Sequence, residues 1–83
     1  MKSIEKFYII TIIDDEIKLS IINEHKVKFH LIRDQINNGD ELSNDEKKII
    51  VGDILSNKLE FYHNGNPTEE TVLIENLIDI FNS

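Results

Sequence analysis

The sequence predicts a small α+β domain in the order β-β-β-α-β-α, with two helices packed on one face of a mainly antiparallel sheet. Three observations predict it. The first third of the chain is filled with runs rich in β-branched and aromatic residues. A helix-start signature stands at Ser43-Asn44-Asp45-Glu46. An apolar stripe with helical spacing runs through the C-terminal segment. At 83 residues, the chain is expected to form one domain over 1–83 with a thin stability margin.

The elements follow in order. Phe7 to Ile13 (Phe7-Tyr8-Ile9-Ile10-Thr11-Ile12-Ile13) is dense in residues that suit a pleated surface and reads as the first strand. Asp14-Asp15-Glu16 supplies turn chemistry. Ile17 to Ile22 alternates, with Ile17, Leu19 and Ile21 on one face and Lys18 and Ser20 on the other, and reads as the second strand. Asn23-Glu24-His25 is the next turn, and Val27, Phe29 and Leu31 alternate with Lys28 and His30 in a third. The first strand is apolar on both faces, Phe7, Ile9 and Ile13 on one and Tyr8, Ile10 and Ile12 on the other. A second layer must cover the extra face, which leaves homodimerisation open as an alternative to partial exposure.

Asn37-Asn38-Gly39 is a turn signal. Ser43 and Glu46 match a capping box, in which each side chain satisfies the other's backbone N–H. Ile50, Val51, Ile54 and Leu55 then mark one face of a helix from about Asn44 to Ser56. Lys58 to His63 alternates and reads as a fourth strand. Asn66-Pro67-Thr68-Glu69 starts a last helix, which Leu73, Leu77, Ile80 and Phe81 carry to about Phe81. A strand over Thr71 to Ile74 is the competing reading, because Asn64-Gly65 favours hairpins.

Composition excludes several classes. There is no Cys, so disulfides, thiolate catalysis and zinc-thiolate sites are out, while the redox compartment stays open. The N-terminus lacks a signal-peptide pattern and no apolar run approaches a membrane span, so a cytoplasmic protein that does not engage membranes is expected. The segment from Asp34 to Asp45 fits a calcium loop only at Asp34, Asn38 and Gly39. Its third position is Ile36, which cannot ligate, and its twelfth is Asp45 where Glu belongs, so a polar turn is expected and no metal. His25, His30 and His63 lack zinc-site spacing. No nucleophile elbow or Gly-rich phosphate loop is present, so no cofactor, no catalytic residue and no enzymatic activity are expected.

Charge carries the remaining signal. Of the net −7, five acids fall between Asp34 and Glu46 and five between Leu59 and the C-terminus, neither window holding Lys or Arg. Ile17 to Arg33 instead carries Lys18, Lys26, Lys28 and Arg33 against Glu24. Direct nucleic-acid binding would need a larger basic cluster than this strip. Segregated acid attracts a basic partner. Asp40, Glu41, Asp45, Glu46, Glu69 and Glu70 are therefore the candidate partner-binding residues, presenting carboxylates at phosphate-like spacing to a basic nuclease or nucleic-acid-binding protein. The competing reading is solubility alone, with acids at helix starts complementing the dipole.

Ile occurs 16 times, Ala is absent and Arg occurs once, a usage expected of an AT-rich genome such as a low-GC bacterium or its phage. In size, acidity and residue usage the chain resembles the small inhibitors of phages and mobile elements, including anti-CRISPR proteins and other nucleic-acid mimics. That resemblance implies a non-catalytic inhibitor which blocks the basic nucleic-acid-binding surface of a host defence protein, such as a CRISPR effector or nuclease. Two other readings stand beside it: a homo-oligomeric module that sequesters a small ligand or nucleotide signal, and a toxin-immunity protein.

Overall fold

The structure, a computed structural model, describes residues 1–62 and 69–82. It overturns the α+β expectation: no strand occurs among the described residues, and the secondary structure is helical throughout. The helices are α1 (Ser3–Leu19), α2 (Asn23–Asn38), α3 (Asn44–Ile49), α4 (Ser56–Tyr62) and α5 (Glu69–Asn82), with a π-helical turn over Ile50–Leu55 joining α3 directly to α4. Two compact units divide the chain, Met1–Ser43 and the remainder from Asn44. None of the described helices is long and apolar enough to cross a membrane.

In the first unit α1 and α2 form a helical hairpin. The expected first strand, Phe7 to Ile13, lies within α1, and its expected turn, Asp14-Asp15-Glu16, continues the same helix. The buried positions are Glu5, Ile9, Ile12 and Ile13, a set with i, i+4, i+7, i+8 spacing that only a 3.6-residue period places on one face. The third expected strand lies within α2, where Phe29, Ile32 and Ile36 are buried at i, i+3, i+7. Val27 and Leu31, which a strand would align with Phe29, are instead exposed on the opposite side. The second expected strand splits between the end of α1 and the Ser20–Ile22 connection, leaving Leu19 and Ile21 at 75% and 94% exposure. Packing of the α1–α2 seam outweighs the modest helix penalty of β-branched residues.

The ends of these helices follow local chemistry. Glu5 reaches back to accept the Lys2 backbone N–H at 2.8 Å, the carboxylate half of a capping box. Arg33 donates to Asp14 across the hairpin at 2.6 Å, and this hydrogen bond raises the guanidinium pKa above its ordinary value. At the end of α2, Gly39 takes φ 78°. Its N–H bonds the Ile36 carbonyl, and the Asp40 N–H bonds that of Gln35. This is a Schellman stop, and it places the expected Asn37-Asn38-Gly39 turn at a helix end.

In the second unit α3 begins directly after Ser43, at the expected start. The helix does not end at Ser56. It continues through the expected fourth strand, whose Lys58 to Tyr62 portion is α4, while His63 lies outside the described residues. The Ser56 N–H bonds the Val51 carbonyl, five residues back, and the Ser56 hydroxyl donates to the same oxygen at 2.6 Å. The wider turn explains why Ile50, Ile54 and Leu55 are all fully buried. At 100° per residue, α winding would swing Leu55 about 140° from Ile50, whereas i→i+5 bonding stacks the two. Helix α5 buries Thr71, Ile74, Leu77 and Phe81 and packs on the π turn and α4. It excludes the strand over Thr71 to Ile74. The expected cap at Asn66 and Pro67 lies outside the described residues.

Two glycines separate conformational need from helix propensity. Gly39→Ala should lower stability by about 1 kcal/mol, because a Cβ is strained at positive φ. Gly52, in the π turn, has open space around its α-carbon, so Gly52→Ala should raise stability by about 0.5–1 kcal/mol. Urea unfolding of the two variants checks the opposite signs.

Candidate functional site

Acidic charge is unequally divided between the units. Residues 1–43 hold eight acids and six bases, whereas 44–83 hold eight acids against Lys47, Lys48 and Lys58. The second unit therefore carries −5 of the net −7.

Its clearest acidic feature is α5, which contains Glu69, Glu70, Glu75 and Asp79 and no base. With Ile74 and Leu77 turned inward, 100° steps carry Glu69, Val72, Glu75, Asn76 and Asp79 onto the outer side, and all five are exposed. Among the described residues no ion pair engages Glu69, Glu75 or Asp79. Glu75 and Asp79 are one turn apart, about 6 Å of rise, and Glu69 lies about 9 Å before Glu75. Glu69 and Glu70 occupy the first turn, where the positive end of the helix dipole favours them.

The other expected partner residues are placed differently. Asp45 and Glu46 start α3, Asp45 exposed and Glu46 half-buried. A cleft of about 240 Å³ is lined by Asn44, Lys47, Lys48, Phe81 and Asn82, so the start of α3 lies beside the end of α5. Glu69 and Glu70, at the opposite end of α5, are roughly 20 Å away along its axis. The two acidic pairs are therefore not brought together. Lys47 and Lys48 follow Asp45 and Glu46 directly, which makes the local charge mixed. Their position at the carbonyl end of α5, a last turn with no base of its own, complements the negative end of that dipole. Asp40 and Glu41 belong to the first unit, both exposed just beyond the Schellman stop.

Sequence reasoning passed over Glu75 and Asp79 as partner residues, although both lie in the base-free C-terminal window. Their i, i+4 spacing on a helix is the signal that identifies them. Among the described residues no group of three or more His, Asp or Glu side chains converges as a metal site would require. Asp34 lies within α2 and Gly39 ends it, so the segment once compared with a calcium loop begins as helix.

No protein-family model matches this chain, and comparisons with curated proteins and with solved structures find no match either.

Proposed function

We propose that the protein is a non-catalytic interaction protein that covers a basic, nucleic-acid-binding surface of another protein, in the manner of a phage-encoded inhibitor of a defence nuclease or CRISPR effector. The observation that carries this reading is the outer side of α5: exposed carboxylates along a helix without a single base. Their rises of about 6 and 9 Å correspond to roughly two to three phosphate steps, at 3.4 Å of axis per strand. Val72 stands exposed among them and adds an apolar contact to an otherwise electrostatic surface. Charge of this kind chiefly speeds encounter and selects the partner. Asp45 and Glu46, with Asp40 and Glu41, extend the negative field of the chain and are secondary to α5 in this reading.

The test begins with affinity capture at low salt from the native host, followed by identification of the bound protein. A basic nucleic-acid-binding protein displaced from the bait by duplex DNA is the expected result. The triple variant Glu69→Lys, Glu75→Lys, Asp79→Lys should then weaken binding at least about tenfold, while keeping a helical circular-dichroism spectrum. Affinity that ignores both the triple reversal and added salt would reject the proposal.

A further inference from the structure

The cleft between the start of α3 and the end of α5 is unlike the rest of its unit. Its volume is about 240 Å³, and Asn44, Lys47, Lys48, Phe81 and Asn82 line it. Both charges in the lining are positive, in a unit of eight acids and three lysines. Steps of about 100° per residue place Asn44, Lys47 and Lys48 on one side of α3, and carry Asp45 and Glu46 about 110° and 150° from the middle of that side. Neither acid lines the cleft. Among the described residues, the side chains of Asn44, Lys47, Lys48 and Asn82 have no hydrogen-bond or ion-pair partner. Two ammonium groups and two amides therefore converge on one space with nothing of the chain's own to bind. The carbonyl end of α5 accounts for part of the positive charge, but a helix end amounts to only about half an elementary charge.

We propose that this cleft binds the phosphate group of a small phosphomonoester. Such a group carries close to two negative charges near neutral pH and has three strong acceptor oxygens. Two cations and two amide donors, supplied by two different helices, match both its charge and its several acceptor directions. Lysine serves phosphate as a point charge, and the unit has no arginine, whose planar fork would suit a carboxylate equally well. The cleft is smaller than the roughly 300–1,000 Å³ of pockets that enclose drug-sized ligands, so the group it holds is compact. Phe81, 6% exposed, gives the lining an apolar part for the carbon of an ester. The acids elsewhere on the unit act as a filter. They repel a nucleic-acid strand, whose further phosphates would have to lie over them, and leave a free small anion as the ligand. The site uses no carboxylate of α5 and does not depend on the function proposed above.

Titration of the full chain with inorganic phosphate and with O-phosphoserine, followed by the backbone amide NMR signals of isotope-labelled protein, tests it. Saturable shifts centred on Asn44, Lys47, Lys48 and Asn82 are expected, with a roughly millimolar dissociation constant for so small a ligand. Sodium chloride of equal ionic strength should not reproduce them. Lys47→Gln and Lys48→Gln should each weaken binding about tenfold. Lys58→Gln removes a charge of the same unit outside the cleft and should leave affinity within about twofold. Lys48 is exposed, so its variant carries the test if Lys47→Gln fails to fold, as judged by circular dichroism. An oligonucleotide with a terminal phosphate should bind no more tightly than O-phosphoserine. Shifts that chloride matches, binding indifferent to the cleft lysines, an equal loss with Lys58→Gln, or tighter binding of the oligonucleotide would overturn the proposal.

Discussion

Ile13→Ala should cost about 2–5 kcal/mol of stability, while Thr11→Ala should fall within about 0.5 kcal/mol of the wild type. Ile13 is fully buried in the α1–α2 seam, and a truncated side chain there loses its transfer free energy and leaves a cavity between two helices. Thr11 is exposed on the opposite side of α1, and Ala is the better helix former. The pair is diagnostic because Thr11 and Ile13 are two residues apart. A β-strand would place them on one face with Ile9 and give them comparable burial, whereas a helix separates them by about 200°. Urea midpoints of the two single variants decide between these geometries without further structural work. Equal losses at both positions would contradict the helical hairpin.

Ile54→Ala should destabilise the second unit by a similar amount, about 2–5 kcal/mol. Ile54 lies in the π turn with no solvent exposure, and that turn is packed by α3, α4 and α5 together. Val72→Ala supplies the control: Val72 is 52% exposed on the outer side of α5, so its truncation should change stability by no more than about 0.5 kcal/mol. Thermal or urea unfolding followed by helical circular dichroism measures both. A loss at Val72 as large as that at Ile54 would mean that α5 faces the other way.

Helix boundaries were more legible than helix identity. Asn37-Asn38-Gly39 identified a chain reversal, and Gly39 takes the left-handed φ found there without the Cβ strain of other residues. Ser43-Asn44-Asp45-Glu46 placed the start of α3 correctly. Of the stripe Leu73, Leu77, Ile80 and Phe81 expected for the last helix, Leu77 and Phe81 are buried in α5, while Ile74 is buried in place of Leu73 and Ile80 is half-buried. The N-terminal half misled because Ile occupies so many positions that short windows match alternation as well as a 3.6-residue period. Val27, Phe29 and Leu31 alternate perfectly, yet Phe29 alone is buried. Lys58 to Tyr62 failed for a related reason, since four or five alternating residues cannot be told from a helix continuing past an irregular turn.

The candidate site was legible in part. The absence of bases after Leu59 was plain in the sequence, and so was the acidic first turn of α5. That the start of α3 would lie beside the opposite end of that helix could not be read from any local pattern. It depends on how α3 and α5 pack, a long-range property. The expectation that a second layer covers Tyr8, Ile10 and Ile12 was tied to a strand that does not exist. In the helix those residues part company: Ile12 is buried in the α1–α2 seam, and Tyr8 and Ile10 are half-buried.

The π turn has a consequence for how this chain tolerates change in length. Its five-residue hydrogen bond from Ser56 to Val51 accommodates one more residue than an ordinary turn would hold. Losing a single residue near Gly52 would relax the segment to regular winding and preserve the phase of everything downstream. Gaining one would rotate Lys58 and Leu59 by about a quarter-turn or more, detaching α4 from its partner. Length variation at this point is thus asymmetric: shortening is accommodated and lengthening is not.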